Sequence, residues 1–376
     1  MNIALLLPRS VLYPSISFDI MDGLKACFKN LGLEGAHQIT TTSIGVAGKN
    51  EEIYTSCEQL LLNGTDIIVG YMNPFSAEYI HPLFESSGKV LIVLDSGYHF
   101  HSFDGKLSNA YFISLQGNLC SRAIVRKALE EEQKNFAFTC SFYDAGYRAP
   151  YSYAFATEEK GGMIGYNHIT PLKKADFSLE ALAQYLESNK DAAILTSFCG
   201  DMIEDFFREA QKNNSISSRK TYGSGFTAEE WWLSKIPYPE YDWSCSVPWS
   251  SKIESKENKE FITVMEDLRP HKANIFSLLG WEAALFISIM NKNSIDGLTI
   301  NSPRGIVFMN PNTGFSEAPV YYATVTKNEE TGNCRLDHVT EVVNLDSERE
   351  SLQQSIEAIK DTVANSWLNA YACLDS

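Results

Sequence analysis

Short, fully apolar runs alternate along this chain with longer runs that place an apolar residue every third or fourth position. Ile3 to Leu7, Asp66 to Gly70 and Val90 to Leu94 are brief, rich in β-branched residues and stopped by small or polar ones. That is how a buried parallel strand ending in a ligand-facing turn reads. Between them, Ile20, Leu24, Phe28 and Leu31 share one helical face, and Ile53, Cys57, Leu60 and Leu61 share another. A β-rich stretch from Gln38 to Val46 and a third helix from about Phe75 to Glu85 complete a β-α-β-α-β-α-β series. Such a series predicts a parallel sheet with right-handed crossovers and helices on both faces.

The pattern then restarts. A helix from about Asn118 to Glu132 leads to strands at Asn135 to Cys140, Met163 to Tyr166 and Ala192 to Thr196, with helices near 149–157, 179–186 and 203–210 between and after them. Two similar doubly wound lobes are therefore expected, with a ligand cleft between them. From Tyr222 to Trp249 turn residues and aromatics take over, which reads as the return crossing and part of a cleft wall. Helices at Ser255 to Leu268 and Ile275 to Met290 would complete the first lobe. Strands at Gly305 to Met309, Val320 to Thr326 and Arg335 to Val343 and a terminal helix follow.

Length and charge narrow the function. At 376 residues the chain suits two lobes of about 150 to 200 residues each. A formal charge of −16 with no basic run argues against nucleic acid as a partner, because such binding depends on Lys and Arg displacing counterions. No segment approaches the ~20 apolar residues of a membrane span, so no direct membrane insertion is expected. The first ten residues read as a strand rather than a signal peptide. Eight cysteines without a CxxC pair read as free thiols of a reducing compartment. The expected location is cytoplasmic, with a periplasmic or lipid-anchored protein as the alternative if a leader was removed.

Five stretches then carry a family likeness: Asp66-Ile67-Ile68-Val69-Gly70, Asp176-Phe177-Ser178-Leu179, Ala192 to Ala210 with Gly200-Asp201, Gly280-Trp281-Glu282-Ala283-Ala284, and Asn301 to Phe308. In this order they resemble the type I periplasmic binding fold, in particular its branched-chain amino-acid binding branch of ABC transporter substrate-binding proteins. The resemblance implies an α/β protein whose two doubly wound parallel-sheet lobes are joined by a multi-crossing hinge and close on a small ligand. The lobes expected are residues 1–117 plus 250–328 and residues 118–249 plus 329–376.

The resemblance also directs attention to turns. The family grips an amino-acid carboxylate after its third and fourth strands, which here places Tyr71, Asn73, Phe75 and Ser76 at one turn and Asp95, Ser96, Gly97 and Tyr98 at the next. Ser76 opens a helix on this reading and either holds an anion with free N–H groups or only caps its own helix. Asp95 departs from the family, since a carboxylate there would repel a ligand carboxylate; its alternative reading is an Asx turn. In the second lobe the candidates are Tyr143, Asp144, Phe198, Ser224 and Phe226, and the acidic residue that amino-acid binders aim at the ligand ammonium is missing near Ser224. What remains is a set of aromatic planes suited to an apolar, aromatic or cyclic ligand, or else to core packing.

No catalytic motif is present: neither GxSxG, P-loop, HExxH nor a dinucleotide glycine fingerprint occurs. His99 and His101 form a weak metal pair without a third ligand, and Cys199 has no neighbouring base. The expectation is a non-enzymatic protein without cofactor or metal that binds a small molecule. Its expected protein partner is an ABC permease or, in a cytoplasmic sensor, a regulatory protein. An interaction scaffold with a degenerate cleft is the third reading.

Overall fold

The computed structural model describes residues 1–45, 48–101, 103–141, 149–171, 173–223, 225–240, 243–270 and 272–363. Among the described residues the chain divides into two compact units, the first made of Met1–Leu115 and Ile253–Pro319, the second of Gln116–Lys252 and residues 320–363. The last junction falls ahead of residue 328, because the strand that follows it pairs within the second unit.

In the first unit the chain runs β1 (Asn2–Pro8), α1 (Ile16–Asn30), β2 (Gln38–Gly45), α2 (Asn50–Leu62), β3 (Ile67–Tyr71), α3 (Pro74–Ser87), β4 (Val90–Asp95) and β5 (Ala110–Ser114). The sheet order is β2-β1-β3-β4-β5, and every pairing is parallel. All residues of β3 and β4 are buried, as continuous apolar runs covered on both faces should be. The hydrophobic pattern does not announce β5. Five residues flanked by turns are too few for periodicity to separate from a loop.

The second unit continues with α4 (Gly117–Glu130), β6 (Asn135–Cys140), α5 (Ala149–Glu159), β7 (Met163–Ile169), α6 (Glu180–Ser188), β8 (Ala193–Ser197), α7 (Met202–Gln211), α8 (Asn214–Ser217), β9 (Thr221–Gly223), α9 (Glu230–Leu233) and β10 (Trp243–Val247). The first unit resumes with α10 (Lys256–Glu266), α11 (Ile275–Ile289) and a small antiparallel sheet of β11 (Thr299–Ser302), β12 (Gly305–Met309) and β13 (Ser316–Glu317). The second unit ends with β14 (Tyr321–Lys327), β15 (Cys334–Glu341) and α12 (Leu345–Val363).

The second sheet has the order β15-β14-β10-β9-β8-β6-β7. Its strands β6 to β10 pair in parallel, whereas β14 and β15 add antiparallel strands at one edge. Two of its strands, β9 and β10, lie in the aromatic stretch read from sequence as a return crossing. Trp243 explains the difference: it is a core residue 1% exposed, its ring 4.4 Å from that of Phe207. Tryptophan density therefore marked a core strand instead of a wall.

Helices α1 and α11 pack through two glycines. A Cβ on Gly280 would sit 2.1 Å from the Ile20 carbonyl oxygen, and one on Gly23 would sit 2.0 Å from that of Ser277. Only a missing side chain permits so close an approach. Asn274 starts α11 with a capping box to Ser277. Among the described residues no helix is long and apolar enough to cross a membrane.

Candidate functional site

Open parallel sheets offer ligands the carboxyl ends of their strands. In the first unit β3 and β4 end side by side, with Tyr71 registered against Leu94. The turns that follow bring Asn73 and the run Asp95 to Tyr98 to one end of the sheet. Of the sequence candidates, these are the ones the fold places on adjacent strand ends.

At the first turn the cap is Asn73, not Ser76. Asn73 Oδ1 accepts the Ser76 N–H at 2.8 Å, and Pro74 fills the first helical position. The Ser76 hydroxyl donates to Asn50 Oδ1 at 2.8 Å. Helix α3 thus begins earlier than an anion-holding Ser76 would require, and the Ser76 amide and hydroxyl both bond within the chain. Tyr71 is 3% exposed and stands edge-on to Phe276, ring centres 6.0 Å apart. Phe75 is half-buried.

The second turn is built on Asp95. Its Oδ2 accepts the Gly97 N–H at 2.9 Å, an Asx turn, and its Oδ1 lies 3.0 Å from His99 Nδ1. Both side chains are buried, at 3% and 4% exposure. Gly97 has φ +79, a conformation that favours glycine. The Ser96 hydroxyl accepts the Tyr98 N–H at 3.4 Å, and Tyr98 is buried. The Asp95 carboxylate is thus held within the chain by an amide and an imidazole. From sequence His99 reads as half of a weak metal pair or as a surface-loop histidine; it is buried against Asp95. His101 is engaged elsewhere, its ring stacked 4.5 Å from that of Phe103 and 5.1 Å from that of Phe315. Burial holds its imidazole pKa below the usual value.

In the second unit Phe198 follows β8 but is fully buried, stacked on Phe206 at 4.9 Å. Its N–H donates to Thr227 Oγ1 at 2.9 Å. It is a core residue, so the sequence reading of a ligand plane does not fit its place. Phe226 is 6% exposed in the turn after β9. Tyr143, Asp144 and Ser224 lie outside the described residues. Cys199 is buried.

The same turn carries an acidic residue the sequence reading passed over. Glu229 is 8% exposed, and burial pushes its carboxyl pKa up to about 7. Its Oε1 accepts the Trp231 N–H at 3.4 Å, while Oε2 is buried without a hydrogen-bond partner among the described residues. The next residue, Glu230, accepts from the Ser250 hydroxyl at 2.7 Å and the Ser251 N–H at 3.1 Å.

A groove of about 960 Å³ in the first unit is lined by the second half of α1, the start of β2 and the end of α10, including Phe28, Leu33, His37 and Leu268. None of the strand-end candidates lines it, so the chemistry of the turns outweighs its size.

The model of a family described as "Periplasmic binding protein" matches residues 1–330. No curated protein sequence matches the chain. A solute-binding protein of an ABC transporter from Rhodopseudomonas palustris BisB5, solved with 3,4-dihydroxybenzoic acid, is 17% identical, with a TM-score of 0.72 over 93% of this chain and 99% of that one. An ABC transporter substrate-binding protein from Sphaerobacter thermophilus is 14% identical, with a TM-score of 0.77 over 91% and 97%. A leucine-binding protein from Thermotoga maritima MSB8 is 12% identical, with a TM-score of 0.67 over 90% and 98%. At such identities the structures share the fold, whereas the family match covers most of the sequence, and the chain belongs to the periplasmic binding protein family.

Proposed function

We propose that this protein is the ligand-recognition component of an ABC-type importer, non-enzymatic, with a membrane permease as its protein partner. Its ligand is a small molecule with an apolar or aromatic body and one polar or acidic group. The observation that carries this reading is the meeting of the Asn73 turn with the Asp95–His99 turn on adjacent parallel strand ends. Solved relatives of the fold hold benzoate and 4-hydroxybenzoate, and another is a leucine-binding protein. Aromatic acids lead over amino acids because Ser224 and Gly225 stand where the resemblance implies an acidic partner for a ligand ammonium. Ligand capture proceeds by hinge closure.

Work outside the cytoplasmic membrane fits such a component. The cytoplasmic location expected from sequence gains no support from the family, and the buried thiols are compatible with either compartment. Two measurements test the proposal together. A thermal-shift screen with benzoate, 4-hydroxybenzoate, leucine and simple amides should find a ligand that adds about 2.7 kcal/mol at a hundredfold excess over Kd. X-ray scattering should then show compaction with that ligand. Silence in both would end the binding reading.

One observation favours a second reading. Asn73, Ser76 and Asp95 all bond within the chain, as a scaffold with a degenerate site would have it. An ordered ligand at these turns in a crystal would exclude it.

A further inference from the structure

Strand β2 (Gln38–Gly45) forms one edge of the first unit's sheet, and among the described residues its strand partner is β1. The register with β1 is regular from Gln38 to Ser43. In a parallel ladder alternate residues of an edge strand bond inward, and here the Gln38 N–H donates to the Met1 carbonyl at 3.0 Å. The backbone groups of Gln38, Thr40 and Thr42 therefore face β1, whereas those of Ile39, Thr41 and Ser43 face outward. Charges and prolines ordinarily keep an edge from pairing. This strand has neither, and Thr40, Thr41 and Ser43 are exposed. The opposite edge of the sheet is covered: the Phe112 N–H of β5 donates to the Gly314 carbonyl at 2.8 Å, and the Ser114 N–H to Ser316 Oγ at 3.0 Å.

Laid antiparallel against a second β2 about Thr41, the strand matches itself. Ile39, Thr41 and Ser43 are placed symmetrically about Thr41, so every outward N–H and C=O of both strands finds a partner. Thr40 then stands opposite Thr42 of the second copy and Thr41 opposite its own counterpart. Threonine meets threonine at each central position, a favourable cross-strand pair. A two-fold interface has to be self-complementary in this way. Charge agrees with it. The groove that Ile39 lines also carries Lys25, Lys29, Glu34 and Asp267, which have no ion-pair partner among the described residues. Both signs on one rim complement a second copy of that rim, whereas a net charge of −16 sets two copies against each other elsewhere.

We infer that this protein forms a two-fold dimer in which the β2 edges join antiparallel about Thr41, so that the first-unit sheets of two copies become one. The ligand turns follow β3 and β4, and β1 lies between those strands and this edge. The dimer therefore stands whether or not a ligand is found.

Sedimentation velocity of the full chain over a wide concentration range should show a species of twice the 42.1 kDa monomer mass that grows with concentration. Thr41→Lys sets like charges opposite each other at the two-fold and should abolish that species. The variant should still fold, as circular dichroism would show, because Thr41 is exposed and its backbone groups face away from β1. Thr41→Cys reads the register. The Cα atoms of a hydrogen-bonded antiparallel pair stand about 5.5 Å apart, within reach of a disulfide, so oxidised glutathione should link the two copies of this variant. Ser43→Cys, also exposed, lies opposite Ile39 of the second copy and should stay unlinked. A monomer at every concentration overturns the dimer and leaves the edge to an extended segment of another protein. A doubled mass that survives Thr41→Lys, or linkage of Ser43→Cys as fast as that of Thr41→Cys, places the contact elsewhere and overturns the pairing as well.

Discussion

Arg304 meets Glu282 in a two-pronged ion pair with no exposed surface on either residue. Charges held so far from water are stable only as a pair. Arg304→Met should therefore cost about 3–5 kcal/mol in urea unfolding, and Glu282→Leu/Arg304→Met together should recover part of that loss. A single variant within 1 kcal/mol of the parent, on the order of a surface pair, would show that the pair is dispensable.

Gly280→Ala puts a methyl group where the Ile20 carbonyl oxygen is 2.1 Å away. Backbone cannot yield as a flexible side chain does, so the cost should reach at least the 1–3 kcal/mol typical of overpacking, about that or more. Thermal melting of Gly280→Ala against Gly32→Ala, whose added methyl would meet nothing within 4 Å but whose φ is +69, separates collision from backbone strain. Equal losses in the two would mean that helix packing is not the constraint.

Glu229 links stability to pH. Its carboxyl rises from an ordinary 4.5 to about 7, so the folded state holds a proton that the unfolded chain releases. The stabilisation is complete below about pH 4.5, falls as pH rises, and is gone above about pH 7. At about 1.4 kcal/mol per unit the change amounts to about 3 kcal/mol. Glu229→Gln keeps a neutral side chain, and its stability relative to the parent should climb by that amount from pH 4.5 to 8. A constant difference across the range would contradict the assignment.

Asp95→Ala should remove the acceptor for Gly97 and leave His99 without its carboxylate, costing about 1–3 kcal/mol. His99→Gln should cost less, since the Asx turn survives. Calorimetry on both variants gives the order.

Thiol chemistry provides the last check. Burial pushes the pKa of Cys57 and Cys334 up to about 12 and raises those of Cys27 and Cys245 as well. At pH 8 their thiolate fraction is on the order of 10⁻⁴ or less. Iodoacetamide should leave these four unmodified in the folded protein and alkylate them in urea. Rapid labelling without denaturant would mean that the core opens locally.

Much of the fold was legible because buried parallel strands such as Ile67–Tyr71 and Val90–Asp95 read as unbroken apolar runs. The strand Ala110–Ser114 was not, since its burial depends on neighbours far along the chain, including Gly314, whose carbonyl accepts the Phe112 N–H. Turn positions were found by counting strands, which drew attention to Asp95. The partners were not found: the cap at Asn73 and the His99 imidazole become visible only with backbone geometry. Phe198 shows the opposite error, an aromatic after a strand that turned inward onto Phe206.

The α1–α11 contact joins residues 16–30 to residues 275–289 across the whole of the second unit's first segment. During synthesis at about 5–20 residues per second, the earlier helix emerges some tens of seconds, on the order of ten to fifty, before its mate. Throughout that interval the face around Gly23 lies uncovered on the ribosome. A nascent chain of this kind is a natural client for a holding chaperone until translation passes residue 289.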